Sequence, residues 1–119
     1  MRRYGAQIPL SSDLPGSNFD FFYGYHAAVT RQDEKLQPAG GWHAEQRLTP
    51  DEALRGYTLW AAIASFSELY GGMISPGRFA DLTVVDLDLL NVAERHPDSL
   101  LTGKVLLTVA NGKVVFERH

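Results

Sequence analysis

The sequence predicts an α+β fold, and three features indicate it. Thr49-Pro50-Asp51-Glu52 combines a threonine N-cap, a proline at the first helical position and a glutamate three residues after the cap. This is the capping-box pattern of a helix start. Near the carboxyl end, Asn111-Gly112 separates two apolar runs and suits the two-residue type I′ turn of a β hairpin. Near the amino end, a short apolar run stops at Asp13, directly before Leu14-Pro15-Gly16.

The first third of the chain is predicted to contain a short strand and a long connection. Residues 6–12 alternate in character and read as a strand, and Pro15-Gly16 marks the turn after it. The chain is then rich in Gly, Asn, Pro and aromatic residues up to about Gln46, with one short helix predicted within residues 18–32. A connection of this length usually has a function beyond connecting.

The clearest predicted element is the helix that begins at the capping box. We expect it to run to about Leu69, because apolar residues form a broad face along it and Gly71-Gly72 follows. Its predicted role is packing.

The last third is predicted to be a small antiparallel β unit. Residues 80–87 read as a strand, and residues 104–117 read as a hairpin. Between them, residues 88–103 are expected to form an irregular connection with one helical turn near residues 96–100.

Composition narrows the class of protein. The chain has 119 residues, a formal net charge of −3 and no cysteine. The negative charge disfavours nucleic acid and anionic lipid as partners, and the missing cysteines exclude disulfides and thiolate chemistry within this sequence. No stretch is long and apolar enough for a membrane span. We therefore expect a soluble cytoplasmic protein.

Four stretches in order resemble one family. They are "SSDLP" from Ser11, "YHAAVTRQ" from Tyr25, "GGWHAEQRLTPDEALRGYT" from Gly40 and "ISPGRFADLTVVDLDLL" from Ile74. Together they resemble the carboxy-terminal portion of the amidohydrolase superfamily, in the branch of N-substituted formamide deformylase-like enzymes. The third and fourth stretches are long and specific, and the resemblance covers nearly the whole chain.

The resemblance implies a place for each segment in a larger fold. Residues 1–71 would be the end of a TIM-like (β/α)8 barrel, comprising its eighth strand, a long loop and the following helix. Residues 72–119 would be the carboxy-terminal β strands of a composite sandwich domain. The implied activity is metal-dependent hydrolysis of non-peptide C–N bonds, of amide or formamide type, with zinc as the expected divalent metal.

On this resemblance, Asp13 is the catalytic residue. Barrel active sites lie at the carboxyl ends of the strands, and Asp13 is the last residue before the turn. The family acid at this place binds the metal or its hydroxide, takes a proton from the attacking water and passes it to the leaving nitrogen. Without the resemblance, Asp13 would be interpreted as an exposed turn acid.

Further candidate residues lie in the long loop. Phe22, Tyr23 and Trp42 are candidates for lining a substrate pocket, with ordinary packing under the loop as the alternative. His26 and His43 lack the spacing of a ligand pair, so we expect them to be surface or satisfied loop histidines.

One carboxylate cannot hold a catalytic zinc, which normally takes three protein ligands and water. In the family, the other ligands come from earlier barrel strands, and this sequence holds no counterpart of them. We therefore expect Met1 to stand where an internal residue would precede the eighth strand, and the isolated chain to be inactive and metal-free. The alternative is a stand-alone remnant that acts as an oligomerising module. In either case a homo-oligomer is expected, and the substrate of the full enzyme would be a small amide-type molecule.

Overall fold

The computed structural model describes residues 5–119 and divides into two compact units. The sheet unit contains the described residues up to Ser11 together with residues 54–84 and 105–119. The helical unit contains residues 12–53 and 85–104. Residues 1–4, which include Met1 and begin the predicted 1–71 segment, lie outside the described residues. The division at residue 71 concerns segments of a larger fold, and it stays a prediction.

The structure confirms a small α+β fold with a three-stranded sheet. None of the helices within residues 5–119 is both long and apolar enough to cross a membrane. In chain order the elements are α1 (Phe21–Thr30), a 3₁₀ helix (Ala44–Gln46), α2 (Pro50–Tyr57), α3 (Leu59–Ala64), β1 (Leu82–Val85), α4 (Leu89–Arg95), a second 3₁₀ helix (Pro97–Thr102), β2 (Val105–Ala110) and β3 (Lys113–Glu117).

The sheet has the order β1-β2-β3. Pairing of β2 with β3 is antiparallel and starts at Ala110 and Lys113, next to the turn. A register shift between Thr108 and Val109 marks a bulge, which twists the ribbon and interrupts its ladder. The strand predicted at residues 80–87 forms, but only residues 82–85 are paired as β1.

The turn between β2 and β3 is the one that the sequence predicted. Asn111 and Gly112 have φ angles of 50° and 74°, and positive values at both central residues are the requirement of a type I′ turn. The turn is also tied to the entry of β1. Asn111 N donates to Asp81 Oδ1 at 2.6 Å, and Gly112 N donates to Ala80 O at 3.0 Å. The hairpin and the first strand therefore support each other.

The strand predicted at residues 6–12 is wrong for this structure. A strand exists through hydrogen bonds to a neighbouring strand, and the sheet of the described residues contains β1, β2 and β3 alone. Leu10 N instead donates to Gly56 O of α2 at 3.0 Å. The segment thus runs along a helix, and a Cβ at Gly56 would lie 2.7 Å from Leu10 Cγ.

The capping box at the start of α2 is confirmed. Thr49 N donates to Glu52 Oε2 at 2.8 Å, and Glu52 N donates to Thr49 Oγ1 at 3.2 Å. The reciprocal pair satisfies backbone donors that a helix start leaves without partners.

The single helix predicted up to about Leu69 is wrong, because it breaks at Thr58. This residue has φ −124° and ψ −94°, and its hydroxyl donates to Leu54 O at 2.7 Å. Gly72 lies close to this break, because a Cβ on it would be 3.2 Å from Thr58 O and 2.7 Å from Ala62 Cβ. A non-local contact therefore accompanies the interruption.

The second half of the predicted helix also ends early, at Ala64. The Ser65 hydroxyl donates to Ala61 O at 3.1 Å and to Ala62 O at 3.0 Å, and such bonds compete with regular helical pairing. Phe66 then adopts φ 57°, in the left-handed region where a helix of L-residues cannot continue.

The core of the helical unit lies between α1 and the Pro97–Thr102 helix. Phe22 and Tyr25 of α1 are 3% and 0% exposed, and Leu100 is 0% exposed. The Tyr25 hydroxyl donates to Pro50 O at 2.9 Å. Burial, with a smaller contribution from Asp51, raises the pKa of Tyr25 to about 12, so this phenol stays protonated at neutral pH.

The structure forms α4 where the sequence predicted an irregular connection, and that prediction is wrong. The missed signal is Asp88, whose side chain accepts a hydrogen bond from Asn91 N at 3.1 Å. Aspartate before a helix-forming run is a standard N-cap signal. The predicted turn near residues 96–100 is confirmed as part of the Pro97–Thr102 helix.

Replacing Gly103 by alanine will destabilise the helical unit. A Cβ at Gly103 would lie 2.3 Å from two atoms of the buried Phe22 ring, so the ring or the backbone has to move. We expect the free energy of unfolding, measured by urea denaturation, to fall by about 1–3 kcal/mol. Gly71→Ala is the control, because its new Cβ would meet its nearest neighbour, Ser67 O, at 3.9 Å. Equal losses in the two variants would contradict this account.

Candidate active site

Asp13 lies in a tight turn after the extended segment, and its side chain is exposed. Its φ of 53° falls in the left-handed region, which aspartate tolerates better than most residues. The Asp13 carbonyl oxygen accepts a hydrogen bond from Gly16 N at 2.6 Å. The Ser17 hydroxyl donates to Ser12 O across the same turn. Residues 12–17 thus form a hydrogen-bonded support for one carboxylate.

Gly16 is in close contact with Asp13. A Cβ at this glycine would lie 2.9 Å from Asp13 O and 3.2 Å from Asp13 Oδ2. Contacts this short are tighter than side chains normally make, so the position of the Asp13 carboxylate depends on the absence of a side chain at Gly16.

The described residues do not by themselves fit a catalytic metal. Residues 5–119 contain no group of three or more histidine, aspartate or glutamate side chains placed to hold a metal ion. Because a catalytic zinc takes three protein ligands, a metal at Asp13 would need ligands from outside these residues. The role of Asp13 as metal ligand and catalytic residue stays a prediction.

His26 is not the surface or satisfied loop histidine that the sequence predicted. It lies on α1 with 0% exposure, and within residues 5–119 neither ring nitrogen has a hydrogen-bond partner. Asp98 Oδ1 lies 4.0 Å from His26 Nε2, which is beyond hydrogen-bond distance. Burial lowers the pKa of His26, while Asp98 and then Asp33 act in the opposite direction.

His43, in contrast, is the surface histidine that was expected. Its side chain is 52% exposed, and Nδ1 lies 3.1 Å from Glu45 Oε1. A backbone hydrogen bond, followed by smaller effects that include His43, holds the pKa of Glu45 below its usual value. The pair has the character of a solvated surface interaction, which contributes little to stability.

Two of the three candidate pocket residues lie on α1. Phe22 is 3% exposed and packs beside Gly103, so its contacts are those of a core residue. Tyr23 is half-buried. A role for these two side chains in binding substrate stays a prediction.

Trp42 is a fixed and exposed aromatic side chain. It is 62% exposed, and the Arg31 guanidinium carbon lies 5.0 Å from the centre of its ring. The two residues are also joined through the backbone, since Trp42 N donates to Arg31 O at 2.8 Å and Arg31 Nε donates to Trp42 O at 3.0 Å. Such an anchored ring suits a binding surface, and its pocket role stays a prediction.

Sequence reasoning missed the burial of His26 and the close approach of Gly16 to Asp13. The first had a usable signal, because Phe22, Tyr25 and His26 follow the i, i+3, i+4 spacing that puts residues on one helix face. The second had no such signal, since Pro15-Gly16 predicts a turn but not which atoms the turn brings together.

Comparison with protein families gives a match over almost the whole chain. A family model described as "Amidohydrolase family" matches residues 1–116.

Curated proteins give matches of similar extent. The chain is 32% identical to N-substituted formamide deformylase of Arthrobacter pascens over 114 residues, which covers 96% of the chain and 20% of that enzyme. It is 30% identical to the putative amidohydrolase YtcJ of Bacillus subtilis over 107 residues, which covers 90% of the chain and 20% of YtcJ. Protein LONG AFTER FAR-RED 3 of Arabidopsis thaliana is 27% identical over 111 residues, which covers 93% of the chain and 18% of that protein. The chain therefore spans about a fifth of the length of these relatives.

A solved structure supports the arrangement of the elements. The chain is similar to guanine deaminase of E. coli with a TM-score of 0.66 and 20% sequence identity, over 98% of the chain and 29% of the deaminase. At this identity the likeness concerns the fold alone.

Proposed function

The chain belongs to the amidohydrolase family, and from this premise we propose that it supplies one carboxylate, Asp13, to a metal-dependent active site. The proposed reaction is hydrolysis of the C–N bond of a small, non-peptide amide or formamide. The placement of Asp13 carries the proposal. It is an exposed acid on a tight turn, at the end of an extended segment, within residues that match the family.

The reaction class is supported by the relatives. One of them is named as an N-substituted formamide deformylase, with which the chain shares 32% identity, and the name describes cleavage of a formamide. We propose a substrate of the same chemical class. Tyr23 and Trp42 are the proposed contacts for its apolar part, because pockets for small molecules are largely apolar and aromatic. Phe22, the third candidate, is buried and would support the proposed pocket by packing rather than by touching substrate.

The proposed role of Asp13 is proton transfer. The carboxylate takes a proton from the water that attacks the carbonyl carbon and delivers it to the nitrogen as the C–N bond breaks. One proton is thereby moved from the nucleophile to the leaving amine. A divalent metal, expected to be zinc, would supply Lewis-acid chemistry when bound, with its remaining ligands from outside residues 5–119.

We propose that catalysis belongs to a larger assembly in which the chain forms the last barrel strand, its helix and part of the sandwich domain. The match to only about a fifth of each relative supports this. On this proposal residues 1–119 alone bind no metal and turn over no substrate. A cytoplasmic location stays a prediction.

A second candidate function is an oligomerising module without catalysis. The observation that favours it is the exposed apolar surface of the sheet unit, where Phe66, Ile74 and Leu69 are 90%, 89% and 71% exposed. The three side chains lie within residues 66–74, and a contiguous exposed apolar patch marks an interaction surface. A second copy of the chain is the occupant proposed for them in this reading.

Zinc content tests the proposed role of Asp13. We expect the 119-residue chain to lose zinc on dialysis, whereas the assembly that carries the earlier barrel strands retains zinc and loses it on Asp13→Asn. Elemental analysis gives the zinc per chain. Glu34→Gln, a matched removal of one exposed carboxylate, is the control and should change nothing.

Two other outcomes have clear meanings. Zinc held by the 119-residue chain alone, and lost on Asp13→Asn, would mean that a second copy supplies ligands and would favour the oligomer. Zinc held equally by the assembly and its Asp13→Asn variant would remove Asp13 from the metal site.

A further inference from the structure

We propose that His26 is a pH-sensitive switch that controls the contact between α1 and the Pro97–Thr102 helix. In this proposal the neutral imidazole keeps the two helices packed, and protonation opens the contact. The proposal does not depend on Asp13 or on the proposed hydrolysis.

The first support is the complete burial of a titratable ring. His26 is 0% exposed, and neither Nδ1 nor Nε2 has a hydrogen-bond partner among the described residues. Burying polar groups without partners carries a cost. The cost rises steeply if the ring becomes charged, because a buried charge needs both a counter-ion and hydrogen bonds. The packed state therefore selects the neutral form.

The acids near His26 offset only part of the cost of burying its charged form. Asp98, on the Pro97–Thr102 helix, is 63% exposed and stays 4.0 Å from Nε2. Asp33, in the loop after α1, is committed elsewhere, since Lys35 N and Gln37 N donate to its Oδ1 at 2.8 and 2.9 Å. The Gln37 bond is the largest of the effects that hold the pKa of Asp33 below its usual value, so its charge is present throughout the range of the switch.

The effects of burial and of the two acids together determine how the stability of the α1 contact depends on pH. Burial is the largest influence and lowers the pKa of His26 despite the two acids. A histidine exposed by opening regains its ordinary pKa of about 6.5. Between these two values the open form binds a proton that the packed form does not. Stability of the contact is therefore complete above about pH 6.5 and falls as the pH drops toward the lower, packed-state value.

The element expected to move is the Pro97–Thr102 helix. It carries Asp98, and its Leu100 is 0% exposed against the core of the helical unit. Because the helix is a short 3₁₀ segment of six residues, its own hydrogen bonds contribute little resistance. Opening would bring the imidazolium to water and separate Leu100 from its packing partners.

Hydrogen exchange of the Leu100 amide, corrected for intrinsic rates, tests the proposal between about pH 7.5 and about pH 5. Once the pH is below about 6.5, we expect protection to fall by up to about tenfold per pH unit, as linkage to one proton requires. His26→Leu should remove this dependence. Asp98→Asn should make the loss larger, since the packed imidazolium loses a favourable charge. His43→Gln, at an exposed histidine, is the control and should behave as the unmodified chain.

A direct titration keeps the proposal falsifiable if His26→Leu does not fold. The pKa of the His26 ring in the unmodified chain is measured by NMR, and a value below the ordinary one is expected. A value at or above about 6.5 would overturn the switch. The same conclusion follows if Leu100 protection is independent of pH, or if it falls equally in the unmodified chain and in folded His26→Leu.

Discussion

Replacing Asp13 by asparagine in the assembled enzyme will lower kcat/KM for N-formyl and N-acyl amines by about 100- to 10,000-fold, the range expected for loss of a general acid–base group. The amide of asparagine has nearly the same shape as the carboxylate but does not accept a proton at neutral pH. Proton transfer from water to the leaving nitrogen would then have no carrier. Steady-state assays with a panel of such amines measure the effect.

The turn should survive this substitution. Asp13 has φ 53°, and asparagine is among the residues that adopt left-handed φ values most readily. A lost activity would therefore report on chemistry rather than on folding, and circular dichroism of the variant checks this. Glu34→Gln again serves as the control. If the Asp13→Asn variant keeps full activity, the proposed proton carrier must be another group.

Phe22→Ala will have the largest effect on stability, lowering the free energy of unfolding by about 3–5 kcal/mol. The Phe22 side chain is 3% exposed, and its ring occupies the space beside Gly103. Truncation would leave a cavity next to a glycine, which has no side chain to fill it. Urea denaturation followed by circular dichroism is the measurement.

Phe19→Ala provides the matched control for this second prediction. Phe19 is 75% exposed, so its removal should change the free energy of unfolding by less than about 0.5 kcal/mol. Similar losses in the two variants would show that Phe22 is not a core residue. If Phe22 contacts substrate instead of packing, its truncation would raise KM while leaving the unfolding curve unchanged.

The sequence by itself determined the elements whose signals are local. The capping box at Thr49 and Glu52 and the type I′ turn at Asn111-Gly112 involve residues no more than a few positions apart. The capping hydrogen bonds and the positive φ angles of the turn follow from the identities of these neighbouring residues, and both predictions are confirmed. The ordered motifs also identified the family, because each motif can be read without knowing what it packs against.

Tertiary structure alone decided the features that depend on distant partners. Residues 6–12 have a strand-like pattern but pack along α2. A strand requires a neighbouring strand, and the described residues do not offer one to this segment. The predicted helix breaks at Thr58, which lies close to Gly72, fourteen positions later in the chain. The spacing of His26 on α1 is compatible with a packed helix face, but only the tertiary structure shows that this face is buried near Asp98, on a helix far along the sequence. In each case the deciding contact joins residues far apart in the chain, and local propensity carries no information about such contacts.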